Sequence, residues 1–306
     1  MTSPFAFFIR LIAISFALSH SGRHALLRRP SGSGGTCLQA SRATADHLAL
    51  ALQWPPGVCH VLSGREQRRR SCRSDVPRFT IHGAWPGNRG RNSSLAGSAA
   101  AAPPRQSHPS FCCGAAFDPE IHRRMPDLES KWPTLFGNRS SVTFWRHEWE
   151  KHGTCAAPSP LMRGVDAYFA QTMRLFDRLS LLHWLAADGV VPTPAAERTL
   201  YDVRRIHAAI EKHVAGKRVF LDCKRLPRST LLPSAPASRR QSVLIGLHVC
   251  HDAVNLTLTD CHKEKQEEHQ CGSHVYFPQS FLWRSTTSDR RTAGKVSLNA
   301  TTESDH

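Results

Sequence analysis

Acidic residues are scarce in this 306-residue chain: 24 Asp and Glu stand against 40 Lys and Arg, which leaves a formal net charge of +16. Such a surplus favours polyanionic partners, because Lys and Arg that neutralise phosphates release condensed counterions. A soluble basic surface with no specific partner is the plainer alternative. No CxxC pair occurs among the ten cysteines, so the spacing of a zinc ribbon or a thioredoxin-like site is missing. The apolar run from Phe5 to Leu18 is too short to span a bilayer. No internal repeat is present, which excludes solenoids and propellers. With 40% hydrophobic residues, the chain can bury one sizeable core and little more.

An even number of cysteines outside metal spacing reads as a disulfide set, which needs an oxidising compartment. Phe5 to Leu18, followed by the small residues around Ser19 to Gly22, reads as a signal peptide over residues 1–22. An uncleaved anchor or a buried helix is the other reading of that segment. Sequons stand at Asn92, Asn138, Asn255 and Asn299. Together these point to the secreted or endo-lysosomal space, with no membrane span once the leader is removed; a monomer is expected.

The rest of the chain divides into a loose polar lead-in over 23–46, a folded domain over 47–283 and a polar, disordered tail over 284–306. His47 to Trp54 predicts a first strand ended by a turn at Pro55-Pro56-Gly57, and Phe79 to Gly83 a short strand. Gly87 to Pro104 is rich in Gly, Ser and Ala and reads as a long loop. Helices are expected over Phe117–Leu128, Val142–His152, Asp166–Leu185 and Val203–Val214. Alternation from Ser242 to Cys261 around His251-Asp252 predicts a hairpin, with Cys250 and Cys261 placed to staple it. The mixture is an α+β domain with a central antiparallel sheet flanked by helices.

Two segments concentrate ionisable groups: Phe79-Thr80-Ile81-His82-Gly83-Ala84-Trp85-Pro86, and Phe144 to Cys155. On an α-helix of about 100° per residue, Glu148, Lys151 and His152 stack on one face at i, i+3 and i+4. A carboxylate, an ammonium and an imidazole so grouped can move protons and stabilise an anion. The segment begins His-Glu, yet zincins need HExxH. Here His147 and His152 stand at i and i+5, about 140° apart on a regular helix, which suits no metal. An exposed charged helix with Trp145 and Trp149 in the core is the structural alternative.

Both segments resemble the active-site motifs of the ribonuclease T2 family, approximately FTIHGLWP and HEWEKHGTC. The second is matched unbroken from His147 to Cys155; the first departs at Ala84, where the family has Leu. Leu52-Gln53-Trp54-Pro55 before Cys59, and the late Cys223, Cys250, Cys261, Cys271 and Val275-Tyr276-Phe277-Pro278, resemble family segments too, over roughly residues 47–280.

The resemblance implies a metal-independent endoribonuclease with no cofactor, acting on single-stranded RNA. The 2′-hydroxyl attacks phosphorus and leaves a 2′,3′-cyclic phosphate. By similarity His152 is the general base and His82 the general acid, Lys151 and Glu148 stabilise the phosphorane, His147 holds phosphate and Trp85 stacks on a base. Gly87 stands where many members carry an acidic base-binding residue, so base preference stays open. Family-like bridges would be Cys59–Cys72, Cys223–Cys271 and Cys250–Cys261, with Cys155 joined to Cys112 or Cys113, the latter taken as the partner. The alternative is a secreted basic RNA-binding or signalling protein that keeps the fold with weak or no catalysis.

Overall fold

The computed structural model describes residues 45–62, 66, 69–88, 109–112, 114–156, 159–225, 241–261 and 271–280. The expected signal peptide, most of the lead-in and of the Gly/Ala-rich loop, Cys37, Cys113, Asn92, Asn299 and the tail lie outside them.

Strand β1 (His47–Gln53) alternates large and small: Leu48, Leu50 and Leu52 turn to one face, Ala49 and Ala51 to the other, and every residue is buried. A strand buried on both faces must be central, and β1 pairs antiparallel with β2 (Thr80–Gly87) on one side. On the other it pairs antiparallel with the long β5 (Gln241–Asp252). β5 also carries β4 (Phe220–Arg225), the two-residue β6 (Leu258–Thr259) and β7 (His274–Tyr276), and β7 pairs with β3 (Leu200–Asp202). The sheet is therefore seven-stranded with β2 at one end of its main path.

One expectation needs correcting: β5 and β7 run parallel. The chain reverses once into β6 and again before β7, which returns it to the direction of β5. The hairpin of β5 and β6 forms as the alternation predicts, and Cys250–Cys261 closes it.

Helices cover the leucine face of the sheet. α6 (Val165–Phe176) supplies Tyr168, Phe169 and Leu175; α7 (Leu181–Ala187) supplies Leu181 and Leu185; α8 (Val203–Glu211) supplies Ile206, Ala209 and Ile210. All join one core with Leu48, Leu50, Leu52, Ile81 and Leu247. The single run expected over 166–185 is broken between α6 and α7 by a turn at 177–180. The run expected over 117–128 yields only α2 (Ile121–Arg124) and, further on, α3 (Leu128–Lys131), separated by Pro126, which has no N–H to continue a helix. Pro55 and Pro56 open a short helix, α1 (Pro55–His60), where a turn was expected; proline's fixed φ suits a first helical turn. β2 runs on past Gly83 to Gly87.

The bridges Cys59–Cys72, Cys223–Cys271 and Cys250–Cys261 are present. The partner of Cys155 is Cys112, not Cys113. The Phe111 N–H donates to the Lys151 carbonyl at 2.9 Å, and this backbone bond sets the Cα of Cys112 5.0 Å from that of Cys155. Asn138 and Asn255 are exposed.

Candidate active site

β2 is an edge strand, so its outward backbone groups need partners from elsewhere. The helical layer supplies them. The Trp132 indole N–H donates to the His82 carbonyl at 2.8 Å. The Tyr168 hydroxyl donates to the Ala84 carbonyl at 3.0 Å and accepts from the Ala84 N–H at 3.3 Å. Side chains thus hold the strand on both sides of Gly83, and with it His82 and Trp85.

The second segment starts as α4 (Ser141–Glu148), whose Ser140 cap accepts from the Thr143 N–H at 3.2 Å. It does not continue as a regular α-helix. Trp149–Gly153 forms a π-turn, and a final turn, α5 (Thr154–Ala156), follows. Gly153, just past the end of the helix expected over Val142–His152, lies inside the helical run: a Cβ there would overlap the Trp149 ring and crowd Tyr168. The π-turn inserts one residue into the turn. That alters the azimuth of His152 relative to Glu148 from the i, i+4 stacking predicted, and it lets Trp149 stay in the core while His152 meets β2.

Glu148 ends α4 and is 2% exposed. Its Oε2 accepts from the Trp85 indole N–H at 3.0 Å, and its Oε1 lies 3.9 Å from His82 Nε2. This approach depends on Gly83, where any Cβ would overlap both Glu148 Oε2 and Trp85 Nε1. Burial pushes the carboxyl up to about 7, against the lowering effects of the Trp85 bond and Lys151.

Trp85 is the hub. His152 stacks on it at 5.2 Å between ring centroids and 29° between planes, while His82 meets it edge-on at 4.9 Å. The two imidazoles, 70 positions apart in sequence, therefore lie no further from each other than those two distances combined. With its N–H given to Glu148 and its ring against His152, Trp85 here braces the site's own groups.

Around this hub the charges are positive. His82 keeps 42% of its side chain exposed. Its pKa is nonetheless lowered, by loss of water among Trp85 and Phe144 first and then by Lys151 and His147. His147 stands on the exposed rim beside Phe111, and its pKa is lowered by desolvation, Lys151 and Arg139, with Glu150 opposing. Lys151 thus acts electrostatically on His82, His147 and Glu148 together. Among the described residues no group of three or more His, Cys, Asp or Glu is arranged to hold a metal ion.

His82, Trp85, His147, Glu148, Lys151 and His152 thus come together as one cluster. Sequence reasoning missed Tyr168, Trp132 and Gly83, which hold it, and His248, whose ring meets Trp85 edge-on at 5.3 Å. In sequence His248 is one more residue of an alternating strand; only the register of β5 brings it here.

A family model, the ribonuclease T2 family, matches residues 45–261. The chain belongs to the ribonuclease T2 family. By that membership it is a T2-type endoribonuclease. Ribonuclease DdI of Dictyostelium discoideum is 27% identical over 236 residues, covering 77% of this chain and 85% of that protein. Ribonuclease MC1 from bitter gourd seeds matches 76% of this chain and all of its own at a TM-score of 0.54 and 25% identity, and a variant of MC1 was solved in complex with 5′-GMP. Human RNase T2 shares the fold at a TM-score of 0.55 and 23% identity, over 77% of this T2 chain and 99% of its own. No helix among the described residues is long and apolar enough to cross a membrane.

Proposed function

We propose that this T2 ribonuclease cleaves single-stranded RNA by transesterification, with His152 as general base and His82 as general acid. The observation that carries the reading is the convergence of both imidazoles on Trp85, with Glu148 and Lys151 beside them. His152 removes the proton from a 2′-hydroxyl; that oxygen bonds to phosphorus as the bond to the 5′-oxygen breaks. His82 gives its proton to the leaving 5′-oxygen, and a 2′,3′-cyclic phosphate remains. DNA, lacking the nucleophile, binds but is not cut.

The pentacoordinate phosphorane gathers negative charge, which the Lys151 ammonium offsets. Glu148 has one oxygen committed to Trp85. Below about pH 7 its carboxyl is protonated, so Oε1, the oxygen facing His82, can donate a hydrogen bond to a phosphoryl oxygen. His147 on the rim offers a further contact to phosphate. No step needs a metal or cofactor. Four bridges among the described residues and exposed sequons at Asn138 and Asn255 support work in an oxidising lumen, secreted or endo-lysosomal.

The test is incubation of purified protein with single-stranded RNA in EDTA between about pH 4 and 8, with products analysed for cyclic phosphate. Cyclic-phosphate ends are expected. Binding without cleavage would point instead to an RNA-binding protein on this fold. His152→Ala should lower kcat by about 10²–10⁴-fold while RNA binding persists; undiminished turnover would remove His152 from the role of base.

A further inference from the structure

The sheet face that carries Trp85 continues beyond the catalytic cluster. One lateral row across four strands reads Gly83, Ala51, His248, Phe220. Residues paired laterally point to the same face, so this row shares a surface with Ala49, Cys250 and Trp85. Its composition is uneven. Gly83 and Ala51 are small, and the Trp85 ring reaches across to meet His248 edge-on at 5.3 Å. His248 in turn meets Phe220 at 5.0 Å and 56°. Both rings are half-buried: each packs one side on the sheet and keeps part in reach of solvent. A continuous line of rings thus runs from His152 through Trp85 and His248 to Phe220.

Cation and carboxyl placement along that line fits a polyanion. Arg218, two residues before Phe220, is 57% exposed, and its Nε lies 3.8 Å from Asp260, a loose pair. Its backbone is fixed by the Cys261 N–H, which donates to the Arg218 carbonyl at 2.9 Å, and by its own N–H, which donates to Asp260 Oδ1 at 2.9 Å. Asp222 follows on the same strand; burial pushes its carboxyl up to about 6 against Lys224, so in mildly acidic medium it opposes a phosphate chain little.

We propose that His248 and Phe220 form a subsite for a nucleotide beyond the two that flank the scissile phosphate, with Arg218 contacting its phosphate. The proposal rests on the RNA-cleaving reading above, which supplies the chain to be bound. Ring faces suit any base, so the subsite favours longer single strands over short ones without demanding a sequence. It also gives this chain a base platform that does not depend on Trp85, whose ring is stacked on His152.

The experiment separates binding from cleavage. Uridine oligomers blocked as 2′-O-methyl ethers cannot supply the nucleophile; two- and six-nucleotide versions are bound to the full protein and followed by fluorescence anisotropy. In the wild type the hexamer binds more tightly than the dimer. Phe220→Ala and His248→Ala should each shrink that advantage by about five-fold or more, the low end of base–aromatic stacking, and Phe220→Tyr should retain it. An unchanged length advantage in both alanine variants, with the fold intact by circular dichroism, overturns the subsite. So does an equal weakening of dimer and hexamer, which would mark a purely structural role. Cleavage of unmodified RNA, assayed in parallel, tests the ribonuclease reading by itself.

Discussion

Gly83 has no side chain, yet the site closes through it. A methyl group there would overlap both partners of the Trp85–Glu148 hydrogen bond. Gly83→Ala should therefore separate the indole from the carboxyl and cut kcat at least ten-fold, with a stability loss of about 1–3 kcal/mol from overpacking. Urea unfolding beside steady-state kinetics checks both; wild-type turnover in this variant would show that the bond is dispensable. Lys151 acts at the same scale through charge. Its ammonium lowers the pKa of His82, after desolvation, and so reduces the fraction of His82 carrying the proton that a general acid must give up. In Lys151→Met that positive neighbour is gone, imidazolium becomes easier to form, and the His82 pKa rises. The high-pH limb of kcat/KM, where the acid loses its proton, should then move to higher pH, while kcat falls about 10²-fold for lack of the phosphorane's counter-charge. A limb that stays in place would detach it from His82.

At the scale of elements, β2 depends on the helices beside it. Tyr168 spans from α6 to the edge of β2 and satisfies both backbone groups of Ala84, between His82 and Trp85. Tyr168→Phe keeps the packing and orphans both groups, so it should cost about 1–3 kcal/mol of stability. Because the strand segment loosens as a unit, kcat should fall several-fold with KM little changed; denaturant titration and kinetics on one preparation decide it. This scale also separates what the sequence could tell from what it could not. The β5–β6 hairpin was legible because alternation, turn and cysteine spacing all agreed. The segment from Phe144 to Cys155 was legible as helical and chemically dense, and its His147, Glu148, Lys151 and His152 do meet His82 and Trp85 of the other segment in space. The π-turn was not legible: a period of 3.6 was assumed, and the departure arises where Gly153 lets Trp149 lie close, a tertiary contact. The choice of Cys112 over Cys113 likewise turned on one backbone bond from Phe111 to Lys151, and His248 on a strand register. Each is a pairing between distant segments, which local patterns do not encode.

On the scale of the whole molecule, a net charge of +16 and a cationic cluster around the scissile position should separate binding from chemistry in their response to salt. Neutralising Z phosphates of a single strand releases counterions, so the logarithm of affinity falls against the logarithm of salt with a slope of about −0.7Z. If the strand spans the cluster and the ring row, about five phosphates are neutralised, and affinity should drop about 10²-fold between 50 and 200 mM salt. In the proposed reaction the proton transfers between His152, substrate and His82 occur once the strand is seated, within a site whose carboxyl is 2% exposed, and are screened far less. Kd and KM should therefore climb steeply with salt while kcat changes little. A single-stranded DNA of equal length should show the same slope and yield no product, since its phosphates meet the same cations and only the attacking hydroxyl is missing. Anisotropy titrations at four salt concentrations, run beside turnover at saturating RNA, provide the measurement. A flat slope would mean that the surplus charge lies away from the bound strand, and a kcat that fell in step with affinity would place the salt-sensitive contacts in the transition state itself.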